Sequence, residues 1–198
     1  MDFRFSDDFI ELIGISRDEA LRTGWHNITA DHIMLGILRL RECPECGFLE
    51  KLGADPAAFK ADLDKGLFCS EQIPWEERES IMPSEGAVSM LQHAALEARR
   101  CGAACIGPLH FVLALRRIPG SLSHDWLEAR GIGLRQLVDA AGMKWEQYGL
   151  IQAGPAREGT AGQAVPGQEA PVPDPALMAA AIEQRIREGY STDNPHVS

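Results

Sequence analysis

Long apolar runs are missing from this 198-residue sequence: no stretch approaches the roughly 18 consecutive apolar residues of a membrane-spanning helix. The start, Met1-Asp-Phe-Arg-Phe-Ser-Asp-Asp, is acidic and lacks the basic head and apolar stretch of a secretory signal, so a cytoplasmic location is expected, with the five cysteines held as reduced thiols. Positive charge is scarce as well. Nineteen Lys and Arg stand against 29 Asp and Glu, a formal net charge of −10, which disfavours a nucleic-acid binder, because such a protein displaces counterions with a clustered basic surface. Arg99-Arg100 and Arg116-Arg117 are too short to supply one and read as solvated helix faces or partners of a helix dipole. No G-x-x-x-x-G-K-S/T loop is present to cradle nucleotide phosphates, and no G-x-S-x-G elbow to present a serine nucleophile. Period-2 alternation of β-branched residues is absent, so the expected fold class is all-α, with no cofactor and no catalytic apparatus.

What the sequence does have is one pattern written twice. An ungapped offset of 78 residues places Ser6 on Ser84, Glu19 on Glu97, Arg22 on Arg100, Gly24 on Gly102, Ile28 on Ile106 and His32 on His110. It continues through Leu35 and Leu113, Arg39 and Arg117, Leu49 and Leu127, and Gly53 and Gly131. Where residues differ, apolar character persists: Ile13 and Leu91, Ile33 and Phe111, Phe48 and Trp126, Phe59 and Leu137. The chain is a tandem duplication.

Each copy spells four short helices. Ser6, then Asp7 and Asp8, then Phe9, Ile10, Ile13, Ala20 and Leu21, with Gly24 to close, predict a helix over about 7–23. Thr29 can cap a second helix, Cys46 to Leu52 read as a third, and Pro56 opens a fourth carrying Phe59 and Leu63. In the second copy Ser84 caps a helix to about Arg100, Pro108 opens the next, and 122–130 and 134–141 complete the unit. Helices this short are unstable alone, so the two units are expected to pack about a pseudo-twofold axis over one shared core. The expected organisation is a domain over 1–142, with repeat 1 at about 5–66, a linker at 67–83 and repeat 2 at about 84–142. Trp75 in that polar linker either folds back on the domain or offers an anchor to a partner.

Beyond the domain the composition shifts. Residues 143–174 are expected to be a short helix and then a flexible linker rich in Gly, Ala, Pro and Gln. Asp174 and Pro175 then start an amphipathic helix over 175–189 with Leu177, Met178, Ala181, Ile182 and Ile186 on one side, and 190–198 is expected to be a disordered end. That helix either docks on a partner or packs back on its own domain.

The doubled string Glu19-Ala20, Gly24, Ile28, His32, Leu35, Leu49, Gly53 and its partner Glu97-Ala98, Gly102, Ile106, His110, Leu113, Leu127, Gly131 resembles the Clp N-terminal domain. That tandem repeat stands at the front of Clp-type AAA+ unfoldases, and the resemblance covers about residues 5–142. It implies a non-catalytic protein-binding module that receives substrates or adaptors for a Clp unfoldase or its protease. The partners implied are that machine, adaptors and clients, not nucleic acid or a membrane. Without a motor in the 198 residues, the chain reads as a stand-alone module, or else as the detached or truncated front of a Clp ATPase.

In some members of that family the paired helix starts hold a phosphorylated arginine. The resemblance carries the hydroxyl caps to Ser6 and Ser84 and the carboxylate to Asp31, which stands where a glutamate is usual; the second copy has Leu109 there. His32, His110, Gly24 and Gly102 are expected to serve structure. Cys43-Pro-Glu-Cys46 is a weaker candidate: two thiols at this spacing can grip one side of a zinc ion or form a redox pair, but no second C-x-x-C completes a site. It reads as a loop between the second and third helices.

Overall fold

A computed structural model describes residues 4–40, 44–145 and 148, together with Ala180 and Gln184. Cys43, the tail linker and most of the 175–189 segment lie outside the described residues. The fold is all-α. Repeat 1 supplies α1 (Asp7–Thr23), α2 (Ala30–Arg39), α3 (Pro44–Lys51) and α4 (Pro56–Leu67), and repeat 2 supplies α5 (Glu85–Arg100), α6 (Pro108–Arg117), α7 (Leu122–Ala129) and α8 (Leu134–Ala140).

Local chemistry explains the ends. Ser6 and Ser84 sit in extended backbone and accept from the N–H groups of Phe9 (3.3 Å) and Ala87 (3.2 Å), satisfying donors that a helix start leaves orphaned. Gly24 closes α1 at φ 81°, with its N–H and that of Trp25 bonded back to the last turn. The third helix starts at Pro44, two residues earlier than the sequence suggests, because the fixed φ of proline suits the first helical turn. Cys46 therefore lies within α3 and not in a loop.

The two copies are joined crosswise. Asn27–Ile28 pair in parallel with Met82–Pro83, and Phe5 bridges to Ile106, which is the same contact with the copies exchanged. Ser84 N–H donates to Ile28 O and Ser6 N–H donates to Ile106 O, both at 2.9 Å. Two-residue pairings carry no periodic sequence signal, which is why no strand was expected. This exchange is the pseudo-twofold axis in hydrogen bonds: the lead-in of each copy is held by the turn after the first helix of the other.

Equivalent apolar positions are buried in both copies, among them Ile28 and Ile106, Ile33 and Phe111, Leu35 and Leu113, and Phe59 and Leu137. Each contributes about 1.5 to 3 kcal/mol of apolar burial. At the seam, the Phe59 and Trp126 rings stack at 3.8 Å and Arg130 covers the other face of the indole. The linker crosses α1 as a short 3-10 turn, Trp75–Ser80. Buried Arg17 holds it there by donating to Ile81 O (3.1 Å) and Glu79 (2.7 Å), and Arg78 pairs with Asp18 (2.5 Å). Those ion pairs and the buried Ile73 and Ile81 fix the linker, so Trp75 does not fold inward: it is 65% exposed, with the Arg78 guanidinium over its ring.

Candidate functional site

The repeated polar residues form a scaffold under the surface. His32 is the third residue of α2, and its Nδ1 accepts the Thr29 N–H at 3.0 Å. That leaves the proton on Nε2, which donates to Thr23 Oγ1 at 3.0 Å, while Thr23 Oγ1 donates to Glu19 O. His110 repeats the first of these bonds with the Gly107 N–H at 2.9 Å. Burial pushes His32 down to about 4, against a smaller opposing pull from Glu19, and burial lowers His110 as well. Both rings are therefore neutral near pH 7, as an Nδ1 acceptor must be. Cys101 stands where the first copy has Thr23, and burial with the nearby Glu97 charge pushes its thiol up to about 11. It is a protonated filler and not a nucleophile.

Glu19 and Glu97 are fully buried carboxylates, each gripped by two guanidiniums of its own copy. Glu19 accepts from Arg22 (2.5 Å) and Arg39 (2.7 Å), and Glu97 from Arg100 and Arg117 (2.6 Å). Each set ties the first helix of a repeat to the second. Tyr148 adds a third donor to Glu97 and stacks on Trp145, so the chain leaving α8 is folded against repeat 2.

Above this scaffold a cleft of about 420 Å³ opens between the repeats. Three helix starts border it: Thr29, Ala30 and Asp31 of α2, Ser84, Gly86 and Ala87 of α5, and Ser121 and Leu122 of α7. Its apolar wall is Trp25, Leu67, Met90, Ile118, Pro119 and Leu122. Trp25 is locked by its indole N–H donating to Leu67 O at 2.6 Å and by an edge contact on His32. Leu122 lies so close over Gly66 that a Cβ there would come within 2.7 Å of Leu Cδ1.

Asp31 and Ser84 fall in this one cleft, on opposite copies. Asp31 is 7% exposed, and it already caps α7: it accepts from the N–H groups of Leu122 (3.2 Å) and Ser123 (2.8 Å) and from Ser123 Oγ (2.5 Å). A carboxylate offers about four lone-pair sites, so one acceptor position is left. Ser6 is not among the residues lining the cleft and instead lies beside Gly107, within 3.5 Å of where a Cβ there would stand. Its half of the molecule carries Leu109 and Ala103 where the cleft has Asp31 and Trp25. Its helix start carries Asp7 and Asp8 where α5 has Glu85 and Gly86, so two first-turn acids face its positive end against one in α5.

Trp25 and Leu122, the exposed large apolar side chains of the wall, were not singled out from the sequence. The available signal was their departure from the repeat, Trp25 against Ala103 and Leu122 against Pro44. Among the described residues no group of three or more His, Cys, Asp or Glu could hold a metal ion, and no helix is long and apolar enough to cross a membrane. Cys69, Cys101 and Cys105 are free thiols.

The family described as Clp repeat (R) N-terminal domain matches residues 4–129. The chaperone protein ClpB of Oceanobacillus iheyensis is 26% identical over 164 residues, covering 81% of this chain and 19% of the relative. The negative regulator of genetic competence ClpC/MecB of Bacillus subtilis is 26% identical over 137 residues, covering 67% of this chain and 16% of its own length. The chain thus spans less than a fifth of these curated relatives. Among solved structures, the N-terminal domain of the caseinolytic protease associated chaperone ClpD from Arabidopsis thaliana superimposes with a TM-score of 0.54 at 18% identity, covering 70% of this chain and 94% of that one. A chain from structural investigations of a malarial protein secretion system gives a TM-score of 0.60 at 12% identity, covering 69% and 90%.

Proposed function

The chain belongs to the Clp repeat N-terminal domain family, and from that premise we propose that it is a protein-binding module that receives client or adaptor segments in the cleft between its repeats and passes them to a Clp-type unfoldase or its protease. The observation that carries this reading is the cleft itself: three helix starts and a locked indole face one opening. Helix starts present N–H donors to carbonyl-rich or anionic groups, and the Trp25–Leu122 wall offers apolar area. The module's work in the cytoplasm is recognition, with ATP hydrolysis supplied by a motor that the 198 residues do not encode.

The client group that fits the polar end is a phosphorylated arginine. The start of α5 at Ser84 attracts the phosphate, and the remaining acceptor of Asp31 takes the guanidinium. The Ser6 side lacks the carboxylate, a loss of about 1.5 to 3 kcal/mol or roughly 10- to 100-fold in affinity, so one seat serves and not two. Fluorescence anisotropy of a labelled phosphoarginine peptide against its unphosphorylated form tests this on the full chain. Gly86→Asp copies the Asp8 arrangement of the other half, and its Cβ meets only Ser84 Oγ at an ordinary contact distance of 3.9 Å. It should weaken the phosphopeptide about tenfold or more by repulsion at short range. Equal binding of both peptides, or an unaffected variant, defeats the phosphoarginine assignment. For the wider reading, affinity capture with stabilising nucleotide should enrich a Clp ATPase, its protease or aggregation-prone clients, and recovery of none of them defeats it.

A second reading, that the chain is the detached front part of a Clp ATPase, is favoured by the 19% and 16% shares of its relatives that it covers. An in-frame AAA+ module encoded after Ser198 decides for it.

A further inference from the structure

Four large apolar side chains are exposed among the described residues: Trp25, Phe68, Trp75 and Leu122. Two of them line the cleft, and Phe68 follows directly on Leu67, which lines it as well. Such a concentration at one opening, on a domain whose other large apolar residues apart from Trp75 are buried or partly buried, marks a surface that is normally covered. The same chain carries a segment suited to cover it. In sequence Met178, Ile182 and Ile186 recur every four residues, a spacing that suits one side of a helix, and Ala180 and Gln184, which fall opposite them in that pattern, are helical and exposed.

We propose that residues 175–189 dock their Met178–Ile182–Ile186 face on the Trp25–Leu122 wall of the same molecule, so that the tail competes with clients for the cleft. This rests on the reading of that cleft as a protein-binding seat. Geometry permits it: a tether over 149–174, rich in Gly, Ala and Pro, has a root-mean-square reach of roughly 25 to 30 Å, against a radius of gyration of about 14 Å for a domain of this size. A second copy or a foreign protein must meet the cleft at its bulk concentration, whereas a tethered segment is present at an effective concentration on the order of 1 mM. A contact with a dissociation constant on the order of 0.1 mM then fills the cleft about nine-tenths of the time.

Amide hydrogen exchange on the full chain tests the docking without any client. Wild type is compared with Met178→Asp/Ile182→Asp, reading peptides that cover 25–31, 66–68, 84–90 and 118–122. In the variant those amides should exchange up to about tenfold faster, the remainder of the core should be unchanged, and a synthetic 174–190 peptide at millimolar concentration should restore protection. No difference at the cleft, or a difference placed elsewhere, overturns the proposal. Protection that fades on tenfold dilution also overturns it, since the tail then acts between copies. Client affinity is measured separately: the variant should bind a cleft ligand about tenfold more tightly than wild type. If exchange is identical while clients bind, the tail proposal fails and the receptor reading stands. If exchange changes while no client binds either form, the receptor reading fails.

Discussion

Acidification should weaken this fold through His32, by an amount that the structure sets. The buried imidazole accepts the Thr29 N–H at Nδ1 and cannot do so when protonated, and burial pushes it down to about 4. An unfolded histidine titrates near 6.5. Between those values the unfolded chain binds the proton that the folded chain refuses, so stability is complete above about pH 7.5 and is lost progressively as pH falls through 6.5 toward 4. At pH 5 the loss from His32 is about 2 kcal/mol, and His110, lowered by burial for the same reason, adds in the same direction. The control is His32→Gln. Glutamine is the ordinary third-position partner of a capping box and is used at Gly133, whose N–H donates to Gln136 Oε1, so the variant keeps an acceptor and does not titrate. Urea unfolding of both proteins at pH 7.5 and 5.0 isolates the His32 share, because the other five histidines are common to both. Wild type should lose about 2 kcal/mol more than the variant over that interval. Identical pH dependence, or an NMR titration placing His32 at 6.5 or above, refutes the reasoning.

The buried carboxylates should differ in cost. Glu97→Ala strands Arg100 and Arg117, which are 18% and 35% exposed, and should cost near the upper end of about 3 to 5 kcal/mol by chemical denaturation. Glu19→Ala leaves Arg22 and Arg39 at 44% and 53% exposure, free to resolvate, and should cost clearly less; equal losses would contradict this. Asp31→Ala leaves the buried Ser123 N–H and hydroxyl without their acceptor and should destabilise by about 2 to 3 kcal/mol, with Asp31→Asn nearer 1. A thermal melt showing no difference between those two variants removes the α7 cap from the account. Gly131→Ala faces open space at φ 66° and should cost about 1 kcal/mol, whereas Gly24→Ala at φ 81° also drives a Cβ into Glu71 O and should cost at least twice that. Similar melting temperatures for the two would mean that the linker yields.

Much of the fold is legible because caps and periodicity are local. Ser6, Ser84 and Thr29 announce helix starts, and a constant 78-residue offset shows that whatever one copy does, the other repeats. The same offset exposes Glu19, Arg22 and Arg39 as a recurring set, yet only three dimensions show them as one ion cluster, since the residues are 3 and 20 positions apart and carry no motif. Crosswise contacts are the least legible. Nothing in sequence says that Asp31 caps a helix 91 residues away, or that Ser84 faces the turn of the other copy, because contacts across a duplication axis leave no spacing rule. Trp75 stayed open between two readings for a related reason: its exposure is decided by Arg17 and Arg78 reaching from elsewhere to pin the linker.

The asymmetry between the halves is where duplication and recognition meet. The scaffold positions, meaning histidine caps, carboxylate clamps and core apolar pairs, match across the axis, because each repeat must close the same hydrogen bonds to fold. The surface positions over that scaffold do not match: Trp25 against Ala103, Asp31 against Leu109, Gly86 against Asp8, Leu122 against Pro44. Each difference points the same way, giving one half a locked aromatic, a spare acceptor and a helix start with one first-turn acid in place of two, and withholding all three from the other. Transplanting the set tests whether this divergence is what makes the cleft selective. Ala103→Trp with Leu109→Asp and Asp8→Gly should add a second phosphoarginine-peptide site to the full chain, read as a binding stoichiometry rising from one to two by calorimetry. A stoichiometry that stays at one, with the fold intact by circular dichroism, would show that selectivity lies outside these positions.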